Sequence, residues 1–256
     1  MGRASTRGIF NYVWRLAPKF FGERMRGASA GDIARLEDAA KTPLSDSHRE
    51  FLTIIGSTPV QALNPFLNDC DYCIDTLVAA YAIHEEAKEP LPSGIVYFSS
   101  SDIAGSNIFL RHGKTPASEP EIGDIRFETE EFICKRIGRF ESWLRWSAFE
   151  FQIGQKAHEF DLKPPWDETT RRWLGEPDRC WNLLEQMGFR LIFSLDNGTR
   201  CGDNGKVAAM IYSDGSGSLA SDEIQHLWRL RDALKKHLTI TIKPEPQGNR
   251  LHSPRE

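Results

Sequence analysis

The spacing of apolar residues changes twice along this chain of 256 residues, and that change limits the fold more than any other feature. From about residue 30 to 88 the apolar positions recur at helical intervals, as at Leu44 and Phe51. After Pro90 the apolar runs become short and rich in β-branched and aromatic residues, which favours strands. Helical spacing returns at Phe140, so helices flank a block of short strands.

This order predicts an α+β fold in which N-terminal helices pack on an antiparallel sheet. We expect three helices, over about residues 30–40, 44–55 and 70–88. Four strands are expected at residues 95–98, 108–110, 125–129 and 132–137. The apolar faces of the helices place three large side chains in the core of this domain, namely Phe51, Leu52 and Trp143.

The chain is long enough for two domains, and residues 151–168 are the natural boundary. Periodicity is lost in this segment, which contains Pro164 and Pro165, so the sequence predicts a linker there. A smaller C-terminal α+β unit with the order α-β-β-α-β is expected over residues 169–243. The first domain then spans residues 28–150, preceded by a basic arm at 1–27, and a tail covers residues 244–256.

Charge is distributed unevenly along the chain. Residues 1–26 hold six basic side chains and one acidic side chain, so they carry +5 and the remainder carries −9, within a net charge of −4. An acidic body repels nucleic acid and attracts basic proteins. The charge pattern therefore predicts a protein partner and argues against nucleic acid as a direct ligand.

Motifs for catalysis, for metal binding and for cofactor binding are missing from the sequence. Cys70 and Cys73 have no second pair that would complete a zinc site. A calcium loop starting at Asp196 would need a glutamate where Val207 stands, and no segment reads as a phosphate-binding loop. The sequence predicts a protein that is not an enzyme and uses no metal or cofactor, with an unrecognised enzyme as the less favoured alternative.

No run of the sequence approaches the roughly 18 apolar residues of a membrane helix, so we expect no stable membrane insertion. An odd number of cysteines and the lack of an apolar signal region favour a cytoplasmic protein. The arm mixes aromatic and basic residues between Ile9 and Leu16. Two interpretations of it stay open, a helix packed on the body and a helix lying on an anionic membrane.

Three stretches of the sequence together resemble the SUKH superfamily, the Smi/Knr-type domains. The first stretch runs from Asp32 through Leu36-Glu37, Leu44 and Phe51-Leu52 to Gly56, the second contains Leu91-Pro92 and Tyr97-Phe98, and the third is Phe140-Glu141-Ser142-Trp143-Leu144. The resemblance covers about residues 28–150. Ser45 stands where the family usually has Pro, His48 where it has an aromatic residue, and Ile55 where it has Asn.

This resemblance implies a binding protein without catalytic turnover. SUKH proteins include yeast regulators of cell-wall synthesis and a large bacterial set that neutralises toxins by direct binding in the cytosol. The resemblance therefore implies an immunity protein that occludes a cognate toxin, for example a basic nuclease. An intracellular scaffold or regulatory adaptor of the same fold is the alternative.

Two acidic segments form the candidate partner-binding surface. Residues 68–89 and residues 119–131 each hold six acidic side chains against one basic side chain. Opposite charge steers a basic partner toward such a surface. The candidate contact residues, which include one loop residue at position 102, are Asp69, Asp71, Asp75, Glu85, Glu86, Asp102, Glu128, Glu130 and Glu131.

Overall fold

The computed structural model describes residues 5–18, 21–22, 25–57, 71–87, 91–100 and 107–244. The chain divides into two compact units, Met1–Ala148 and Phe149–Glu256, which we call unit 1 and unit 2. Each unit combines helices with antiparallel strands, so the predicted α+β class is confirmed. The boundary lies two residues before the predicted end of the first domain.

Unit 1 begins with helices α1 (Thr6–Leu16), α2 (Ala30–Ala40), α3 (Asp46–Ile55) and α4 (Ile74–Ala87). Serine side chains cap the first three helices, because each Oγ accepts a hydrogen bond from a backbone N–H of the first turn. Ser29 and Asp32 form a reciprocal capping box at the start of α2. In α3 the cap is Ser45, whose side chain accepts from the His48 N–H.

The sheet of unit 1 has four strands, β1 (Ile95–Ser99), β2 (Ile108–Arg111), β3 (Glu121–Arg126) and β4 (Glu131–Arg139). They pair in chain order as an antiparallel meander, and helix α5 (Phe140–Gly154) follows. The predicted strand at 125–129 is wrong in its bounds. Residues 127–130 form the turn between β3 and β4, where Glu130 adopts a positive φ of 53° that a strand does not allow.

The core of unit 1 is confirmed at the three predicted positions, since Phe51, Leu52 and Trp143 are all buried. Helix α1 belongs to the same core and buries Ile9, Phe10 and Val13. The ring of Phe10 lies 5.6 Å from the ring of Phe51 in α3. Of the two interpretations left open for the basic arm, the structure shows the helix packed on the body, so the arm is not a separate element.

Unit 2 contains helices α6 (Pro177–Gln186) and α7 (Ile224–Lys235) and eight strands. The strands are β5 (His158–Lys163), β6 (Trp166–Asp167), β7 (Arg172–Trp173), β8 (Arg190–Ser194), β9 (Arg200–Asp203), β10 (Val207–Ile211), β11 (Gly217–Ser221) and β12 (Thr241–Pro244). Six of them form one sheet in the order β12-β5-β11-β10-β9-β8, and β6 pairs with β7 in a separate hairpin. Unit 2 has its own hydrophobic core, which includes Phe160, Trp181 and Leu227.

The predicted linker at 151–168 is wrong. Helix α5 continues to Gly154, and β5 lies inside the large sheet between β11 and β12. The predicted α-β-β-α-β order also misses β9 and β11. The observed order α6-β8-β9-β10-β11-α7 matches the order α4-β1-β2-β3-β4-α5 of unit 1, so both units contain a four-stranded meander between two helices.

Native unit 2 is expected to resist cleavage by chymotrypsin after Phe160. This side chain is buried in β5, which is paired on both edges, so the protease reaches it only after the sheet opens. Limited proteolysis followed by mass spectrometry measures the cut, and a urea concentration that unfolds unit 2 is the positive control. Rapid native cleavage after Phe160 would restore the linker interpretation.

Candidate functional site

The nine candidate contact residues lie in several different environments. Asp69 and Asp102 lie outside the described residues. Asp71 and Asp75 lie at the start of α4, and Glu85 and Glu86 lie in its last turn. The remaining three carboxylates lie in the β3–β4 turn and at the start of β4, at Glu128, Glu130 and Glu131.

Asp71 has a structural role in holding the start of α4. Its carboxylate accepts a hydrogen bond of 2.7 Å from the Cys73 N–H and one of 2.6 Å from the Thr76 hydroxyl. Its backbone also exchanges two hydrogen bonds with Ser100. The carboxylate therefore has protein donors on both oxygens, and lysine at this position would disturb the fold.

Two other candidate carboxylates are already matched by arginine. Asp75 lies 3.0 Å from the guanidinium of Arg35, and Glu131 lies 3.1 Å from that of Arg126. Exposed pairs of this kind contribute only about 0–1 kcal/mol to stability. Their main effect is local, because each arginine neutralises a carboxylate that would otherwise attract a basic partner.

Four candidate carboxylates have no such match. Among the described residues, no ion pair is formed by Glu85, Glu86, Glu128 or Glu130, and all four side chains are exposed. The ring of His84 in α4 stacks on the ring of Phe127 in the β3–β4 turn, with 5.6 Å between centroids. This contact brings together the end of the first acidic segment and the middle of the second.

Two apolar side chains lie beside these carboxylates in the sequence. Ile83 is 68% exposed and Phe127 is 45% exposed, which is unusual for residues of their size. We define the acidic patch as these two side chains together with the four unmatched carboxylates of α4 and the β3–β4 turn, that is Ile83, Glu85, Glu86, Phe127, Glu128 and Glu130.

Aromatic rings of the sheet pack against His84 and Phe127. Tyr97 of β1 and Phe109 of β2 face each other across the sheet, with 4.7 Å between their centroids. The Tyr97 hydroxyl lies 2.5 Å from Nε2 of His84, and Phe109 contacts Phe127 edge to face at 6.1 Å. Burial raises the pKa of Tyr97 to about 12, so its hydroxyl keeps its proton at neutral pH. The exposed ring of Phe127 therefore lies on a packed base.

Two features of the acidic patch lower the local stability of the fold. Glu85 and Glu86 occupy the last turn of α4, where the negative end of the helix dipole disfavours anions. Glu130 has a φ of 53°, a region in which glycine or asparagine costs less. Side chains that oppose local stability are expected mainly at functional sites. Both departures involve carboxylates of the acidic patch.

A cavity of about 700 Å³ opens next to the patch, between the end of α2, the second half of α4 and residues 91–93. Its walls include Val78, Tyr81, Leu91 and Pro92. Glu85 belongs both to this lining and to the patch, so the two features are continuous. We call this space the α2–α4 cavity.

A second, smaller cavity of about 380 Å³ lies between α3 and the start of α5 and is lined by four carboxylates. Three of these have partners within the protein. Glu50 lies 3.7 Å from Arg7, Glu119 accepts a hydrogen bond from the Glu141 N–H, and Glu141 itself pairs with Arg145. The charges of this cavity are largely satisfied internally, so it is a weaker candidate for binding.

The place of His48 on the apolar face of its helix predicts a hydrogen-bonded core histidine; its burial is confirmed, but the hydrogen bonds are not found in the described part of the chain. Its ring contacts those of Phe98 and Phe140 and stacks on His112 at 5.5 Å. Neither of its ring nitrogens has a hydrogen-bond partner among the described residues. His112 accepts a hydrogen bond from the Ser45 N–H through Nδ1. Burial and the nearby His112 hold the pKa of His48 well below its usual range.

Replacing His48 with phenylalanine is expected to reduce the acid sensitivity of unit 1. Burial also lowers the pKa of His112, to about 4, although Glu37 opposes the shift. Below about pH 6.5 both histidines become protonated in the unfolded chain but stay neutral in the folded unit. Each histidine therefore lowers the free energy of unfolding by about 1.4 kcal/mol per pH unit. This loss is absent above pH 6.5 and grows as pH falls toward about 4 for His112.

Urea unfolding at pH 7.5 and pH 5 measures this effect. His48→Phe is expected to recover a clear part of the loss at pH 5, since one of the two buried histidines is gone. His237→Gln, at an exposed position, is the control and should keep the pH dependence of the unchanged protein. An identical pH dependence in the His48 variant would show that His48 does not titrate in this way.

Within the described part of the chain, no group of three or more His, Cys, Asp or Glu side chains is arranged to hold a metal ion. In the same residues, no helix is long and apolar enough to cross a membrane. Comparison of the chain with protein-family models, with curated proteins and with solved structures found no match. The resemblance to SUKH domains therefore rests on the residues given above.

Sequence reasoning missed the apolar half of the patch and the cavity. His84 and Phe127 are 43 positions apart, and nothing in the local pattern of either predicts that they stack. Phe127 was placed inside a strand. One local signal was present, because a large aromatic residue stands between Arg126 and Glu128 in a run that is otherwise polar.

Proposed function

We propose that this protein neutralises a basic protein toxin by binding it through the acidic patch and covering its active surface. The observation that carries the proposal is the stacking of His84 on Phe127, which brings the end of α4, with Glu85 and Glu86, to the β3–β4 turn, with Glu128 and Glu130. In this role the protein acts in the cytoplasm, needs no cofactor and performs no reaction.

The chemistry of the patch favours a basic protein over other partners. Each carboxylate that leaves water on binding needs a cation or a hydrogen-bond donor in return, and lysine or arginine supplies both. Ile83 and Phe127 offer apolar area of the kind found in the centres of protein interfaces. Nucleic acid is disfavoured, because its phosphates would meet four carboxylates.

The toxin class comes from the resemblance of residues 28–150 to SUKH domains, whose bacterial members bind toxins. Basic nucleases fit the charge of the patch, since an enzyme that holds nucleic acid carries a basic cleft. A protein that covers such a cleft with carboxylates competes directly with the phosphates. This is the simplest mechanism by which a binding protein of this charge would block a nuclease.

Photo-crosslinking tests the proposal in cells of the organism that produces the protein. A photo-reactive phenylalanine analogue is introduced in place of Phe127, and crosslinked proteins are identified by mass spectrometry. The same analogue in place of Trp166 is the matched control, because that side chain is 43% exposed and lies in unit 2. We expect a basic protein to be captured at position 127 and not at position 166.

The captured protein must also be toxic when it is produced alone. If position 127 captures a component of the cell envelope or of a signalling pathway that does not harm cells, the proposal fails and the adaptor alternative takes its place. Capture of the same proteins at both positions would show that the patch is not a specific binding surface.

A further inference from the structure

We infer that the α2–α4 cavity is the pocket into which the partner inserts one arginine side chain. This inference rests on the proposed function, because it names the anchor residue of the same partner. The cavity volume of about 700 Å³ lies within the range of about 300–1,000 Å³ that is usual for binding pockets. It therefore has room for an arginine together with part of a neighbouring residue.

Two helices end at this cavity. Residues 38–42, at the end of α2 and just after it, form one wall, and Tyr81, Ala82, His84 and Glu85 of α4 form another. The C-terminal end of a helix carries the negative pole of its dipole. Neither last turn contains a lysine or an arginine, so the polarity of both helix ends favours a cation in the cavity.

Two carboxylates add to this field. Asp38 in the last turn of α2 and Glu85 in the last turn of α4 both line the cavity, and neither forms an ion pair among the described residues. Lys41 also lies in the lining, but it is the exposed C-cap of α2 and balances only one of the two carboxylates. Among the described residues of the lining, the charged side chains therefore keep a net negative charge.

The apolar walls indicate which cation fits. Val78, Leu91 and Pro92 suit a long aliphatic stem, since lysine and arginine bury their methylene groups against apolar surface. Tyr81 also lines the cavity, and an aromatic ring can stack on a planar guanidinium, which also binds carboxylates through two hydrogen bonds. Arginine matches both the carboxylates and the ring, whereas the lysine ammonium is compact and strongly hydrated.

Titration of the full-length protein with two small probes tests the inference by NMR. One probe is the N-acetyl, N-methylamide derivative of arginine, and the other is the same derivative of citrulline, which has nearly the same shape without the charge. We expect the arginine probe to shift amide signals of residues 38–42 and 78–85 with a dissociation constant on the order of millimolar. The citrulline probe should bind at least about tenfold more weakly.

A double variant, Asp38→Asn with Glu85→Gln, should lower the affinity for the arginine probe by about tenfold or more. Glu168→Gln in unit 2 is the control and should leave the affinity unchanged.

Equal binding of both probes, shifts confined to other residues, or unchanged affinity in the double variant would each overturn the inference. Capture of a basic toxin at position 127 without specific arginine binding would overturn this inference and leave the proposed function standing. Specific arginine binding without any captured toxin would overturn the proposed function and leave the cavity as an arginine-binding pocket.

Discussion

Replacing the four carboxylates of the acidic patch with lysine is expected to slow association with the partner by about 10- to 1000-fold at low salt. The variant carries lysine at positions 85, 86, 128 and 130. Steering by opposite charge is lost and becomes repulsion, and any carboxylate that contacts a cation directly loses a pair worth about 1.5–7 kcal/mol. The effect should shrink at high salt, because ions screen the steering field. Surface plasmon resonance with the captured partner measures it.

The stability of the same variant is not expected to fall. Lysine at positions 85 and 86 complements the helix dipole at the end of α4, and such charges are typically worth about 0.3–1 kcal/mol. A control for net charge reverses four exposed carboxylates of unit 2, of which Asp222 pairs with Lys156, at Glu168, Asp196, Asp222 and Glu223. If this control slows association as strongly as the patch variant, the effect comes from overall charge and the patch has no special role.

Phe51→Ala is expected to lower the stability of unit 1 by about 3–5 kcal/mol. The ring is fully buried and lies within 5.7 Å of the rings of Phe10, Tyr72, Phe98 and Phe140. Its removal leaves a cavity bordered by four aromatic side chains, three of which are held by α1, β1 and α5, and such a site cannot collapse easily.

Amide hydrogen exchange measures this loss for each unit separately. Exchange in β1 should accelerate by roughly a few hundred- to a few thousand-fold, because about 1.4 kcal/mol corresponds to a factor of ten. Exchange in β10 of unit 2 should not change. Phe127→Ala removes the same ring at an exposed position and is expected to cost about 1 kcal/mol. Equal protection of β1 in Phe51→Ala and in the unchanged protein would mean that Phe51 does not support this core.

Most helices and core residues of unit 1 can be predicted because the apolar spacing is strong. Phe51 and Leu52 lie on the face that the helical period places inside, and both are buried. Strand bounds are harder to predict, because a strand ends where the backbone turns. Glu130 adopts a left-handed conformation, and no glycine or asparagine stands at this position to indicate the turn in the sequence.

The errors in unit 2 have a similar cause. Strand β5 does alternate, with Phe160 and Leu162 buried and Glu159 and Asp161 partly exposed, but Pro164 and Pro165 follow it and suggest a linker. Strand β9 has the sequence Arg-Cys-Gly-Asp, which has little intrinsic strand preference. Its position in the sheet depends on pairing with β8 and β10, and a local pattern does not contain that information.

In the candidate site, too, local composition is predictable from the sequence, whereas the pairing of side chains is not. The sequence predicts two acidic segments, and the described parts of both carry exposed carboxylates. Which carboxylates are matched depends on distant partners, since Asp75 meets Arg35 from 40 positions away. The acidic patch is what remains after these pairs form, so it becomes visible only in the folded structure.

Growth of cells that produce the partner captured at Phe127 tests the central proposal most directly. Cells that also produce the unchanged protein are expected to grow normally. Cells that produce the variant with lysine at positions 85, 86, 128 and 130 should stop growing, although the variant accumulates to the same level. Full protection by that variant, or normal growth of cells that produce the partner alone, would contradict neutralisation of a toxin through the acidic patch.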